Sequence, residues 1–234
     1  MTVELALHDG VATIALNRPE VRNALNLEMC EGLLQALSRV GDARLLFVRG
    51  NGPVFCGGAD VKERTGKSAQ WIRERRLKAF AAYEAIEALP MPCVALVHGA
   101  AIGSGCEIAA ACDFIVATPD AVFRTPEAQR GTVGATQRLP RILGKRLAKD
   151  LMFTGRDLSA VDAKQAGLVT RIVDDLEVAM NDLRTTILKA SPLALKLAKR
   201  AIDQGIERDP KGAREVEIAA IEEQLASGQW LGKP

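Results

Sequence analysis

Apolar and polar residues alternate from Val3 to Leu7 and again from Val11 to Leu16, on either side of His8-Asp9-Gly10. A period of two around a turn glycine predicts a β-hairpin. Asn17-Arg18-Pro19 ends its second strand. From Asn26 to Val40 the period becomes helical, with Leu27, Leu33, Leu34 and Leu37 on one face and Asn26 placed as N-cap. Leu45 to Val48 predicts a short buried strand, closed by Gly50-Asn51-Gly52-Pro53. Gln70 to Leu89 predicts a helix that stops at Pro90-Met91-Pro92, and Cys93 to Val97 a second buried strand. After a run of glycines, Cys106 to Ala111 is helical and Phe114 to Ala117 a further strand. Strands alternating with helices in this way predict an α/β layout with mostly parallel pairing.

Beyond Thr136 the pattern turns helical. Helices are predicted over Ile142 to Phe153, Ala160 to Ala166, Leu176 to Lys189, Pro192 to Gly205 and Lys211 to Leu225. One strand, Leu168 to Val173, interrupts them. Ser159 is suited to cap one helix, and Pro192 to open another. No linker, repeat or low-complexity stretch divides the chain, so the expectation is one core domain over residues 1–190 and a helical appendage over 191–234.

Bulk properties add limits rather than identity. The 234 residues are enough for one large domain, with a 48% hydrophobic and 26% charged fraction ordinary for a soluble protein. A net charge of +2 gives no field that selects nucleic acid or an acidic membrane surface. Five cysteines (30, 56, 93, 106 and 112) form no Cys-x-x-Cys pair and read as reduced, buried thiols. Two histidines, His8 and His98, cannot build a histidine-rich centre, so no metal is expected. The N-terminus lacks the basic and apolar regions of a signal peptide. The most apolar stretch, Met91 to Thr118, is interrupted by His98, Glu107, Asp113 and glycines, which argues against a membrane span. A cytoplasmic protein is the expectation.

Four segments could carry chemistry. Glu107 sits in Gly-Ser-Gly-Cys-Glu-Ile-Ala-Ala-Ala-Cys, among small and apolar neighbours. A carboxylate buried there has a raised pKa unless a partner compensates, so it is either a salt-bridged core glutamate or a general acid/base. Gly99, Gly103 and Gly105 precede it between a strand and a helix, where they allow close backbone approach to a ligand. The run lacks the third small residue of a dinucleotide fingerprint and the Gly-Lys-Ser/Thr of a phosphate loop. Ser104 has Ile102 and Cys106 two residues away, so no nucleophile elbow is present. An oxyanion-binding turn remains. Phe55-Cys-Gly-Gly-Ala-Asp-Val-Lys62 is a second glycine-rich segment after a strand, and could equally be a plain tight turn. Glu127 follows Pro126 and could equally cap a helix.

Taken in order, these segments resemble a known family. Asn17-Arg18-Pro19, Asn23-Ala24-Leu25, Phe55 to Asp60, His98 to Glu107, Pro126-Glu127, Thr136-Gln-Arg-Leu139, Asp162 to Val169 and Ser191-Pro192 are similar to the ordered motifs of the enoyl-CoA hydratase/isomerase (crotonase) superfamily. The likeness covers roughly residues 11 to 200. It implies a crotonase-like α/β fold, a spiral of ββα repeats followed by a C-terminal helical region that covers the acyl pocket and builds homotrimers or dimers of trimers. It also implies an acyl-CoA thioester substrate, with no cofactor beyond the coenzyme A carried by that substrate. The thioester oxygen would lie between the backbone amides of Ala59 and Ser104. Arg22, Ala24, Ala59, Asp60, Val61, Lys62 and Gly103 fall where family members contact the substrate and its coenzyme A.

Family hydratases place two glutamates around a water, here Glu107 and Glu127, whereas isomerases commonly retain only the second. Hydration of a 2-enoyl thioester builds charge on the thioester oxygen, which two amide donors stabilise, each worth on the order of 2.7–4 kcal/mol. One carboxylate takes a proton from water while a carboxylic acid delivers one to Cα; the family analogy gives Glu107 the first role and Glu127 the second. Three departures stand out. Ser104 replaces the usual glycine and stands to crowd the acyl group, and the turn Val133-Gly134-Ala135 is short. The chain also ends soon after Trp230, earlier than in members with a full closing helix. The basic runs Arg73, Arg75, Arg76, Lys78 and Lys196, Lys199, Arg200 lack interleaved aromatics and are expected to be solvated helix faces rather than a nucleic-acid surface.

Overall fold

Why the hairpin forms is plain from its register: Val3 pairs with Leu16 and His8 with Val11 across strands β1 (Val3–His8) and β2 (Val11–Leu16). The computed structural model describes residues 1–228, so Trp230 lies outside the described residues. Asn26 caps helix α1 (Leu27–Leu37) by accepting from the Met29 amide, as its position predicts. β3 (Leu45–Gly50), α2 (Ala69–Glu87) and β4 (Cys93–Val97) follow. Then come β5 (Ala100–Ile102), α3 (Ser104–Ala110), β6 (Phe114–Ala117) and β7 (Val122–Arg124). The remainder is α4 (Arg138–Thr154), β8 (Leu158–Ser159), α5 (Ala160–Gln165), β9 (Arg171–Ile172), α6 (Leu176–Ile187), α7 (Pro192–Gly205) and α8 (Pro210–Ala226).

Six strands make the main sheet in the order β1-β2-β3-β4-β6-β9, parallel except for the opening hairpin. Period two sorts its side chains. Leu46, Val48, Cys93, Ala95 and Val97 join the large core with α1 and α2, while Leu45, Phe47, Val94 and Leu96 pack with Leu183 of α6. Burial holds the thiols out of play: Cys30 is pushed up to about 11, and Cys56 and Cys93 to about 12.

A second sheet, β5-β7-β8, was not visible in the periodicity, because its strands are only two or three residues long. It completes the ββα repeat. Each main-sheet strand turns a corner and continues as a short strand beside its neighbour's continuation: β4 into β5, β6 into β7, and β3 into Cys56, which bridges to Ala101. The Gly99 corner has φ +54, and a Cβ there would lie 2.6 Å from the Pro53 carbonyl oxygen.

Two boundaries differ from expectation. α4 begins at Arg138 rather than Ile142, with Pro140 in its first turn, and is broken by Gly144 at φ +75. The predicted strand from Leu168 shrinks to two residues because the Leu168 and Val169 amides are spent on the Ala163 carbonyl, closing α5. The α7–α8 hairpin is tied to the body by Lys199, 3.0 Å from Asp113. Lys199 and the fully buried side of Arg75 correct the expectation that both basic runs are solvated. Among the described residues no helix is long and apolar enough to cross a membrane.

Candidate active site

The site is built where the corners of two neighbouring repeats meet. The Ile102 amide donates to Cys56 (2.9 Å) and the Cys56 amide to Ala100 (3.0 Å), so the glycine-rich segments around 56–59 and 101–105 run side by side. Leu25 locks the outer one, donating to Gly58 and accepting from Asp60, each at 2.8 Å. Only glycine fits at two points of this contact. A Cβ on Gly105 would lie 2.6 Å from the Cys56 oxygen, and Gly58, at φ +97, would place one 2.9 Å from the Ile102 oxygen.

The Asn23 motif is explained by the same contact. Fully buried with φ +53, Asn23 donates through Nδ2 to the carbonyls of Asn51, Val54 and Phe55, and its Oδ1 accepts from the Arg18 amide. It clamps the chain leading into Cys56. Asp60 is spent on scaffolding too, 3.1 Å from Arg18.

This packing leaves two amides free. Those of Ala59 and Ser104 make no hydrogen bond among the described residues, and Ser104 opens α3, where the first turn has no intrahelical acceptor. Both residues line a cavity of about 110 Å³. Glu107 reaches it from the next position of α3 that faces the same way, and Glu127 from the segment after β7. Of the predicted substrate contacts, Ala59, Val61 and Gly103 line the cavity, while Arg22, Ala24, Asp60 and Lys62 lie outside it. Arg22 and Lys62 are exposed.

Burial raises both carboxyls above the ordinary range. Glu107 is 6% exposed; desolvation lifts it, Arg138 opposes that at 3.9 Å, and the charge of Glu127 adds to the rise. Arg138 is largely committed elsewhere. It holds Glu87 through two hydrogen bonds of 2.6 and 2.7 Å and stacks 5.4 Å from the Tyr83 ring. Glu107 is therefore a buried carboxyl with a distant, shared cation rather than one half of a tight core ion pair. Glu127 is likewise raised by desolvation against a backbone hydrogen bond and the charges of Arg130 and Arg76. Its Oε2 is buried and accepts no hydrogen bond among the described residues. A Cβ on Gly103 would collide with Oε1 of the same carboxylate.

Several lining groups escaped sequence reasoning. Tyr83 is 1% exposed, its phenol held above the usual range by burial and bonded to the Ser104 hydroxyl. The extra side chain at 104 is thus turned toward α2. Arg76 fastens the short turn, donating to the Val133 carbonyl (3.0 Å) and to the Thr132 hydroxyl. One signal could have found Tyr83. The buried stripe of α2 is Arg75, Ala79, Ala82, Tyr83 and Ile86, so extending the apolar period backwards lands on Arg75. Beyond Glu107 the cavity continues into a second, of about 530 Å³, walled by Glu84, Glu87, Arg138 and Arg141.

Comparison with known proteins places this geometry. Residues 6–229 match the family model described as enoyl-CoA hydratase/isomerase. A probable mitochondrial enoyl-CoA hydratase of Arabidopsis thaliana is 38% identical over 217 residues, 89% of this chain and 72% of that protein. The crystal structure of an enoyl-CoA hydratase from Bacillus anthracis superposes with a TM-score of 0.91 at 34% identity, covering 95% of this chain and 90% of that one. A structure from Thermobifida fusca, solved in complex with acetoacetyl-CoA, gives a TM-score of 0.88 at 26% identity, with 97% and 95% covered.

Proposed function

The chain belongs to the enoyl-CoA hydratase/isomerase family, and from that premise we propose that it hydrates 2-enoyl-CoA thioesters to 3-hydroxyacyl-CoA. One observation carries the reading: two raised carboxyls, Glu107 and Glu127, line the same small cavity as the unspent amides of Ala59 and Ser104. The thioester oxygen sits between those amides, which stabilise the enolate that forms as water adds at C3. Glu107 takes the proton from that water and Glu127 delivers one to Cα. A raised pKa suits both tasks, since each group must exist in either protonation state near neutrality. The two carboxyls and two amides supply every proton and charge the reaction requires, so the reading includes no resident cofactor.

Double-bond migration is the second reading. It needs one carboxyl to carry a proton between Cα and Cγ, and Glu127 offers a buried, unpartnered oxygen for that. Loss of enoyl-thioester ultraviolet absorbance with crotonyl-CoA separates the two. Wild type is expected to hydrate, and Glu107→Gln and Glu127→Gln each to abolish it. No absorbance loss, together with conversion of a 3-enoyl-CoA that survives Glu107→Gln, would establish migration instead.

The α7–α8 hairpin is, in the same reading, an assembly surface for a homotrimer or dimer of trimers. Ile202 and Ile206 support this, being 67% and 80% exposed beside an apolar groove between the two helices. Sedimentation velocity tests it.

A further inference from the structure

Three guanidinium groups line the cavity. Arg64 comes from the 3-10 turn Lys62–Arg64, Arg76 from α2, and Arg130 from the 3-10 turn Ala128–Arg130 that follows Glu127. None forms a salt bridge among the described residues, although their neighbours Arg75 and Arg138 hold Glu63 and Glu87. Arg76 spends its terminal nitrogens on two neutral acceptors. The Nε of Arg64 is buried and has no hydrogen-bond partner among the described residues. A buried donor left unmade, on a charged group, is costly enough to call for an explanation.

The cavity's own carboxyls do not bond to that donor. Glu127 is coupled to the other two guanidiniums, since the charges of Arg130 and Arg76 oppose the rise that burial imposes on its carboxyl. Arg64 is lowered, by burial first and then by repulsion from Arg75 and Arg76. Three guanidiniums thus share the cavity with two carboxyls, Glu107 and Glu127, and Arg138 already lies 3.9 Å from Glu107.

We propose that this wall seats a carboxylate at the far end of a short acyl group, so that the preferred substrate is a coenzyme A thioester of a dicarboxylic acid. The proposal rests on the acyl-thioester reading of the same cavity. Arginine forks match a carboxylate through paired hydrogen bonds, which would satisfy the Arg64 Nε. The phosphates of coenzyme A are the other available anions. The whole pantetheine arm separates them from the reacting carbonyl, whereas these arginines flank Glu127 and line the cavity that holds both carboxyls. Arg64, Arg76 and Arg130 line the same cavity as Glu127, which limits how far the terminal carboxylate can lie from the reacting carbon.

Isothermal titration with unreactive, saturated ligands reads this without turnover, so failure of the hydratase reading leaves it intact. Glutaryl-CoA would be compared with its terminal primary amide, which has the same shape and no charge. The acid is expected to bind wild type roughly tenfold or more tighter than the amide, and Arg64→Met and Arg130→Met each to cut that preference. Equal binding of acid and amide by wild type would overturn the proposal. So would variants that weaken both ligands equally, because that outcome puts the guanidiniums on the phosphates common to both.

Discussion

The floor and the wall of the cavity are held by different forces. The floor, residues 56–59 and 101–107, is backbone paired with backbone, packed so closely that Gly58 and Gly105 have no room for a Cβ. The wall, α2 and the segment 127–137, is held by side chains: Arg76 to Thr132 and Val133, and Arg138 to Glu87. Val133 at its tip is 70% exposed. A backbone-built floor fixes where charge is stabilised whatever the acyl group, while a side-chain wall can change its chemistry one residue at a time. In the proposed reading the floor stabilises the thioester oxygen, the wall sets acyl preference, and the proton transfers need both.

Each region contributes one carboxyl, so removing either tests the division most severely. Glu107→Gln and Glu127→Gln should each lower kcat by roughly 10²–10⁴-fold with every acyl-CoA tried, measured by the absorbance assay. A loss confined to one acyl group would assign that glutamate to selectivity instead. Arg75 is where the wall helix enters the floor. It is 2% exposed, 2.6 Å from Glu63, and donates to the carbonyl of Leu25, the residue paired with Ala59. Arg75→Met should cost about 3–5 kcal/mol in urea unfolding, since it strands a half-buried carboxylate. Loss of under 1 kcal/mol would show that wall and floor are mechanically independent.

Gly105→Ala tests the floor directly, because its backbone is unstrained and the added Cβ meets Cys56 alone, through its carbonyl oxygen and its Cβ. About 1–3 kcal/mol of destabilisation is expected, read as a lowered Tm, with kcat falling as the Ser104 amide shifts. The smallest effect sharpens the comparison through pH. Desolvation raises Glu107 above its ordinary 4.5, so the fold favours its protonated form. Stability from this group is complete below the ordinary carboxylate range and is lost as pH rises through the raised value. Glu107→Gln cannot ionise and escapes that loss. Its unfolding free energy relative to wild type should therefore be larger at pH 8 than at pH 5; an unchanged difference would mean the carboxyl is not desolvated.

Local signals were read where local forces decide. The hairpin, the Asn26 cap and Pro192–Gly205 appear as the periodicity and capping chemistry require. Glu107 was conspicuous because a carboxylate among alanines and glycines has no local reason to be there. The short strands β5 and β7 gave no periodic signal, since three residues do not establish a period and their pairing partners lie about twenty positions away. Arg64, Arg76 and Arg130 were illegible for a related reason. In sequence each sits among charged or polar neighbours and reads as solvated surface, and only the approach of α2 to the 127–137 segment brings them to one cavity, with Arg130 still exposed.

By itself, then, the sequence determined the α/β layout, the two glycine-rich approaches and the two glutamates, because these follow from side-chain periodicity, turn chemistry and residues out of place in their own segment. Tertiary structure alone decided which cations line the cavity, that Ser104 lies beside Tyr83, and that Arg138 is shared between Glu87 and Glu107. The Tyr83, Glu87 and Glu107 contacts join residues 21 to 51 positions apart, whose partners are chosen by how helices pack on the sheet rather than by any pattern along the chain.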